Sequence, residues 1–233
     1  MLKFAFASYL FYFDEMRSQI GKIGVFAAIL FVAALTASAQ TKAPVGKTLF
    51  YDSDGNLISN NEFVDIRMAN PSYPDRTLMK SLEDGTVEFR LQKIPQEGMK
   101  APEFSLKTID GKSVSSADLR GKVVVLNFWF IGCPVCRAIK PKLNAFKAKF
   151  GESENVVFLA VTGDPPDEVA KFAKSEPLSF IQAAGAADEL RKFVFHGYPK
   201  NIVISKTGEI VYWRTTVHAW DKFESVVRGE LAK

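Results

Sequence analysis

Cys133 and Cys136 are the residues of this 233-residue chain whose type and spacing most directly predict chemistry. They are the only cysteines in the sequence, and Pro134 and Val135 separate them. A Cys-x-x-Cys pair can close to a disulfide and reopen to a dithiol, and the thiolate is the reactive form of each sulfur. The pair therefore predicts a dithiol redox site, with Cys133 as the nucleophile and Cys136 as the resolving cysteine.

The residues on either side predict how this pair is positioned. A continuous apolar run from Val123 to Ile131 has the length and β-branched content of a strand buried on both faces. Apolar residues at helical spacing follow over 135–150, and Pro134 suits the first turn of a helix. Cys133 is thus expected at the amino end of a helix, where free N–H groups and the helix dipole favour a thiolate. We expect its sulfur to face solvent and Cys136 to be more shielded.

Two other roles for the cysteines are weaker. A disulfide across so short a loop removes little entropy from the unfolded chain, so a purely structural bridge would stabilise little. A zinc site would need two further ligands, and His196 and His218 are the only histidines. We therefore expect no metal site and no cofactor other than the redox-active disulfide.

The amino terminus has the pattern of an export signal. Basic residues precede an apolar run over residues 23–35, and an A-S-A cleavage pattern ends at Ala39. We predict a signal peptide over residues 1–39 and a periplasmic location, where a disulfide can persist. Met16 is a candidate start, because the stretch before it fits a signal peptide poorly. The alternative is an uncleaved segment that retains the protein at the membrane, although the run is shorter than the ~20 residues that span a bilayer.

The rest of the chain predicts a short linker, a small β-rich region and one α/β domain. Residues 40–97 contain two hairpin signals, D-S-D-G at 52–55 and E-D-G at 83–85, and no catalytic side chain. This region could pack on the domain, form a dimer surface or contact a partner. Strands and helices follow over 98–233, including a short helix over 116–121. Their order predicts a mixed central sheet with helices on both faces.

The composition argues against one class of partner. The formal net charge is +4, and basic and acidic residues are interspersed without a Lys/Arg block. A surface that tracks phosphates needs such a block, so no nucleic-acid partner is expected. The hydrophobic fraction of 47% is enough for a substantial core.

Five motifs follow one another in a fixed order over residues 98–233. They are A-P-E-F-S-L-K-T-I-D-G-K at 101–112, the strand L-R-G-K-V-V-V-L-N-F-W, Cys-x-x-Cys, Pro141 and G-Y-P at 197–199. Through these motifs, residues 98–233 resemble the thioredoxin-like superfamily, most closely the exported TlpA/ResA-type thiol–disulfide oxidoreductases, which are related to the AhpC/TSA proteins. The resemblance implies a thioredoxin-like fold and an enzyme that reduces protein disulfides. It also implies a disulfide-bearing protein substrate, a membrane thiol protein as electron donor, and a link to cytochrome c maturation.

The resemblance assigns roles to individual residues near the cysteines. Pro199 occupies the family's cis-proline position, where the backbone beside Tyr198 can pair with an extended substrate. Trp129 corresponds to the tryptophan that buttresses the site, and Pro141 to the proline inside the active-site helix. Pro134 shapes the site and follows the first cysteine directly, as in oxidising DsbA-type sites, whereas TlpA/ResA proteins usually have Cys-x-Pro-Cys.

Other departures from the family pattern concern charge. Asn127 stands where thioredoxin has a buried aspartate that assists proton transfer, and Ile139 where ResA-type proteins carry a glutamate. The sequence therefore identifies no general base at these positions. Glu103 and water are the alternatives for that role, and Glu103 is expected to be a surface charge. Lys200 replaces the threonine that usually follows the cis-proline. These departures leave the redox potential and the substrate specificity open.

The remaining charged residues near the cysteines are expected to be peripheral. Arg137 and Lys140 follow Cys136 on the helix and are predicted to lie on a solvated face. His196 is expected to end a helix; the alternative is that it approaches the sulfurs and, when protonated, stabilises the thiolate. His218 is expected to lie at the surface or cap a helix.

Two other functions remain open from the sequence. The opening motif also begins peroxiredoxins, but these need a proline and a threonine upstream of the peroxidatic cysteine. Relative to Cys136, those positions hold Trp129 and Cys133, which disfavours a peroxidase. A chaperone for Cu(I) or haem assembly could use the two thiolates as soft ligands, and no further residue supports it.

Overall fold

The structure, a computed structural model, describes residues 46–70 and 77–233. The predicted signal peptide and residues 71–76 of the predicted β-rich region lie outside the described residues. Residues Lys47–Lys233 form one compact unit, and the predicted boundary at 97/98 stays a prediction. Within the described ranges, no helix is long and apolar enough to cross a membrane.

Residues 47–94, called the N-terminal segment below, form a small sheet and one helix. The elements are β1 (Thr48–Tyr51), β2 (Leu57–Ile58), α1 (Asn60–Arg67), β3 (Leu78–Ser81) and β4 (Val87–Arg90). The order is β2-β1-β4-β3, with both predicted hairpins antiparallel. The sequence did not predict α1, because this eight-residue helix is mostly polar and buries only Phe63 and Asp65.

The central sheet has five strands in the order β11-β10-β7-β8-β9. They are β7 (Val123–Phe128), β8 (Val156–Val161), β9 (Ile181–Ala183), β10 (Lys200–Ile204) and β11 (Ile210–Arg214). Strands β7, β8 and β9 are parallel, and β10 is antiparallel to both β7 and β11. Every residue of β7 is buried, as its unbroken apolar run predicted, and one hydrophobic cluster lies on each face of the sheet. Only the short β9 was not predicted.

The remaining elements are a hairpin and four helices. They are β5 (Ser105–Lys107), β6 (Ser113–Ser115), α2 (Pro134–Ala148), α3 (Pro166–Ser175), α4 (Ala187–Lys192) and α5 (Trp220–Leu231). The helix predicted over 116–121 is wrong, because this stretch forms turns. Asp118 accepts hydrogen bonds from the backbone N–H and the hydroxyl of Ser115, which closes a local turn in place of a helix.

The N-terminal segment packs on the central sheet through buried charged groups. The carboxylate of Asp65 on α1 accepts hydrogen bonds from the backbone N–H groups of His218 and Ala219, where α5 begins. In the opposite direction, the ammonium of Lys200 on β10 donates to the carbonyl oxygen of Ala69, just beyond the end of α1. Of the roles left open by the sequence, the structure therefore shows packing on the domain.

Candidate active site

The two cysteines lie where β7 passes into α2. They form a disulfide with an S–S distance of 2.09 Å. Cys133 is the N-cap residue of α2, Pro134 occupies the first turn, and the backbone N–H of Cys136 donates to the Cys133 Sγ at 3.1 Å. The same N–H can donate to a Cys133 thiolate after reduction. Together with the positive end of the helix dipole, this hydrogen bond favours the ionised, reactive form of Cys133.

Both cysteines are buried in the oxidised protein. Cys133 is 5% exposed and Cys136 is 2% exposed. Cys136 is the more shielded of the two, as predicted, but the prediction that the Cys133 sulfur faces solvent is wrong for the oxidised state. The reason is packing, since both cysteines belong to the hydrophobic cluster that contains Trp129.

An exposed apolar surface borders the disulfide. We call Phe130, Val135 and Tyr198 the apolar rim; all three are exposed, and the first two flank Cys133 in the chain. The rings of Phe130 and Tyr198 contact each other edge to face, with centroids 5.1 Å apart. Exposed aromatic and aliphatic groups beside a reactive sulfur provide a contact surface for an apolar partner.

The loop before β10 brings Pro199 to the same end of the sheet. The Tyr198–Pro199 peptide is cis, and Lys200 pairs with Phe128, the last residue of β7. The contact between Tyr198 and the rim residue Phe130 confirms that this loop lies beside the cysteine loop. The structure therefore brings together the cysteines, the residues just before them and the cis-proline.

Trp129 is buried beneath the site. Its ring stacks on Phe172 of α3 with centroids 5.8 Å apart, and its Nε1 has no hydrogen-bond partner among the described residues. Pro141 lies inside α2, as the resemblance implied. Trp129 packs beside the cysteines, and neither Trp129 nor Pro141 carries a group that could transfer a proton there.

Lys140 is buried, although the sequence predicted a solvated position. It lies one turn after Cys136 on α2 and is only 6% exposed. Its Nζ donates to the carbonyl oxygen of Glu176 at 3.2 Å and lies 4.7 Å from the Trp129 ring centre and 4.0 Å from that of Phe172. Burial lowers the pKa of Lys140, and the Glu176 carboxylate opposes this shift. The prediction was wrong because the end of α3 covers this face of α2.

The two positions where the family carries an acidic residue hold no titratable group here. Asn127 is buried, and its Nδ2 donates to the Oδ1 of Asn201 at 2.9 Å. Ile139 packs against the hydrophobic cluster. Glu103 is exposed and 4.0 Å from Arg120, so it is the expected surface charge.

The other charged residues lie around the site rather than in it. Arg137 is exposed as predicted, and its hydrogen bond lowers the pKa of Glu176. His196 is exposed in the loop beyond α4 and does not end that helix, contrary to the prediction. His218 is half-exposed, and its Nδ1 lies 2.6 Å from the Asp65 carboxylate. In the described ranges, no three His, Cys, Asp or Glu side chains form a group that could hold a metal ion.

Sequence reasoning missed Asp164, which holds the cysteine loop. Its Oδ2 accepts hydrogen bonds from the backbone N–H of Ile131 at 2.7 Å and from the hydroxyl of Thr162 at 2.8 Å. Burial raises the pKa of Tyr198, and the charge of Asp164 raises it further, which places this carboxylate near the rim. The sequence offered one indication of this role. Asp164 follows β8 and the cysteines follow β7, and the carboxyl ends of neighbouring parallel strands lie at the same edge of a sheet.

Lys200 is a second buried amine, on the opposite face of the sheet. It is 0% exposed, and its Nζ donates to the carbonyl oxygen of Ala69 at 2.6 Å and to the hydroxyl of Thr215 at 2.8 Å. Burial lowers the pKa of Lys200 to about 7, and the positive charge of Arg214 contributes. The sequence showed only that a lysine replaces the usual threonine here.

Replacing Lys200 with methionine is expected to remove a pH dependence of stability. An amine with a pKa of about 7 in the folded protein and 10.5 in the unfolded chain binds fewer protons when folded, between these values. The free energy of unfolding of the wild type should therefore rise relative to Lys200→Met by about 1.4 kcal/mol per pH unit above pH 7. Below pH 7 the full penalty is present.

Urea unfolding of both proteins from pH 6 to 9 measures this difference. We expect it to shift by roughly 2 kcal/mol between pH 7 and 9 in favour of the wild type. A difference that does not change with pH would contradict a buried amine that titrates near neutrality.

Comparisons with known proteins agree with this geometry. The model of the AhpC/TSA family matches residues 98–213. The chain is 32% identical over 117 residues to the thioredoxin-like protein YneN of Bacillus subtilis, covering 49% of this chain and 69% of YneN. It is 31% identical over 116 residues to the thiol-disulfide oxidoreductase ResA of Bacillus thuringiensis subsp. konkukian, covering 49% and 66%. These matches span about two thirds of each relative.

A solved structure shows the same fold. The thiol:disulfide interchange protein named DsbE from Chlorobium tepidum aligns with a TM-score of 0.52 at 28% identity, covering 58% of this chain and 97% of that one. The predicted mixed sheet with helices on both faces is confirmed by this match and by the observed strand order.

Proposed function

Because the chain belongs to the thioredoxin-like thiol–disulfide oxidoreductases of the TlpA/ResA type, within the AhpC/TSA family, we propose that it is an exported reductase of protein disulfides. The observation that carries the proposal is the Cys133–Cys136 disulfide at the start of α2, beside the cis-proline and the apolar rim. A dithiol at a helix start suits thiol–disulfide exchange. The surroundings suit a polypeptide substrate.

The reaction follows from the positions of the two sulfurs. In the reduced protein, the Cys133 thiolate attacks one sulfur of a substrate disulfide, forms a mixed disulfide and releases the other substrate sulfur as a thiolate, which takes up a proton. Cys136 then loses its proton to solvent and attacks the Cys133 Sγ. This step closes the Cys133–Cys136 disulfide and releases the second substrate sulfur. Two electrons have then passed from the protein to the substrate.

The apolar rim favours a protein substrate over a small charged disulfide. Phe130, Val135 and Tyr198 offer exposed apolar area but no cation that would hold the carboxylates of glutathione. The backbone at the cis Tyr198–Pro199 peptide is available to pair with an extended chain, as the family resemblance implies. An unfolded polypeptide with apolar residues near its disulfide meets both requirements.

The cycle needs partners that we infer from the chemistry. The closed Cys133–Cys136 disulfide must be reduced again by a thiol protein, and export through the predicted signal peptide makes a membrane-bound donor the suitable source of electrons. The cycle requires no cofactor besides this disulfide and no nucleic acid. Relatives named as a thiol-disulfide oxidoreductase and a thiol:disulfide interchange protein support the exchange chemistry. The periplasmic location and the link to cytochrome c maturation are part of this proposal.

A single-turnover experiment distinguishes this function from the two alternatives. The reduced protein is mixed in turn with a peptide disulfide, with hydrogen peroxide and with Cu(I), using the pre-oxidised protein as control. We expect rapid reduction of one peptide disulfide per protein and oxidation of the Cys133–Cys136 pair. Faster oxidation by peroxide than by the peptide, or retention of Cu(I) without any exchange, would overturn the proposal.

A further inference from the structure

Lys200 places a charged group in the interior, although its position in β10 could be filled by an apolar side chain. Its ammonium is 0% exposed and has two oxygen partners, the carbonyl of Ala69 and the hydroxyl of Thr215, with the Trp213 ring centre 5.0 Å away. Taking an ammonium out of water costs several kcal/mol, and an apolar side chain would often hold a strand equally well. We call the hydrogen bond between the Lys200 ammonium and the Ala69 carbonyl the tie, because it joins β10 to the end of α1.

The tie lies at the edge of the active site. Lys200 is the first residue of β10 and directly follows Pro199, and it pairs with Phe128, the residue before Trp129. Residues 194–199 have no strand pairing in the structure. Lys200, directly after the cis peptide, is thus the first residue of this stretch that strand pairing holds in the sheet.

The other end of the tie is the N-terminal segment. The carbonyl of Ala69 lies just beyond the carboxyl end of α1, where free carbonyl groups and the helix dipole favour a cation. The same oxygen accepts a hydrogen bond from Thr215. The nearby positive charge of Arg214 opposes the ammonium but is paired with Glu97 at 2.5 Å. Attraction to the end of α1 therefore fixes the direction of the Lys200 side chain.

We propose that Lys200 is a positioning residue for disulfide reduction: by tying β10 to the end of α1, it fixes the Tyr198–Pro199 peptide relative to the cysteines. This inference rests on the proposed reductase function. It concerns only substrates long enough to contact the cis peptide.

The test compares two probes on the reduced full chain. One is a ten-residue peptide with an internal disulfide, which can pair with the backbone near Pro199, and the other is glutathione disulfide, whose three-residue halves offer much less backbone for that contact. Stopped-flow fluorescence gives the second-order rate constant for each. Because misplacement by about 1 Å can cost as much as about 100-fold, we expect Lys200→Thr and Lys200→Met to lower the peptide rate about tenfold. The glutathione rate should stay within about twofold.

Two control variants separate this role from general loosening. Lys206→Met removes a lysine tie just beyond the other end of β10, where the amine donates to the carbonyl oxygen of Leu231. Asp65→Asn weakens the attachment of the N-terminal segment at α5, away from the cis peptide. Both should keep the wild-type ratio of peptide to glutathione rates.

Each outcome decides the question. A ratio that is unchanged in folded Lys200→Thr, the milder variant, would overturn the positioning role while leaving the reductase function intact. If Asp65→Asn lowers the ratio of peptide to glutathione rates as much as Lys200→Thr does, the positioning role is also overturned. Loosening of the N-terminal segment would then be enough to slow the reduction of the peptide. A wild-type protein that reduces neither probe would instead refute the proposed function itself.

Discussion

Cys136→Ser is expected to accumulate a mixed disulfide between Cys133 and a peptide substrate, and Cys133→Ser is expected to form none. Cys133 is the N-cap residue of α2, so its sulfur accepts a hydrogen bond from the Cys136 N–H and lies at the helix end that favours a thiolate. Without Cys136, nothing on the protein can displace the bound substrate. Turnover should fall at least about 1000-fold in both variants, the scale expected when one member of a catalytic unit is removed.

Mass spectrometry of the unreduced adducts measures this difference. The wild type serves as the control, since it should pass through the mixed disulfide too quickly to accumulate it. Trapping by Cys133→Ser instead would reverse the roles of the two cysteines. Adducts on neither variant would contradict thiol–disulfide exchange at this site.

Asp65→Ala is expected to lower the free energy of unfolding by about 3 kcal/mol, because hydrogen bonds to a buried charged group are worth roughly 1.5–3 kcal/mol each. Asp65 is 1% exposed, and its carboxylate accepts from the backbone N–H groups of His218 and Ala219. Alanine would leave these donors without a partner at the start of α5, where a negative charge is also favoured by the helix dipole.

Urea unfolding at pH 7 gives the value. Asp118→Ala is the matched control, because Asp118 also accepts from a backbone N–H but lies in an exposed turn. Its cost should be clearly smaller than that of Asp65→Ala, because the donors of an exposed cap remain accessible to water when the carboxylate is removed. A cost for Asp65→Ala no larger than that of the control would contradict docking of the N-terminal segment through this carboxylate.

The parts of the site that follow local patterns could be predicted from the sequence. The apolar run of β7 and the position of Pro134 were sufficient to place Cys133 at a helix start, because burial on both faces and helix initiation depend on neighbouring residues. The cis peptide at Pro199 was reached through the family resemblance alone, since an ordinary proline opening a strand has the same local pattern.

The buried charges could not be predicted, because each depends on contacts between distant residues. Lys140 has the spacing of a surface residue on α2, and only the end of α3 makes it buried. The sequence showed Lys200 only as a departure from the family pattern, because its oxygen partner, the carbonyl of Ala69 beyond the end of α1, is distant in the chain. The missed helix α1 and the missed role of Asp164 have the same cause, since short polar stretches acquire their roles from tertiary structure.

The reduction potential of the Cys133–Cys136 pair tests the central claim most directly. The full chain is equilibrated with glutathione buffers, and Trp129, which packs with the disulfide, reports the redox state by fluorescence. We expect a reversible two-electron couple near about −270 mV, the value of a thioredoxin-type reductant. A potential near about −120 mV would identify an oxidant and contradict the reductase assignment. The absence of any reversible couple would contradict the dithiol site itself.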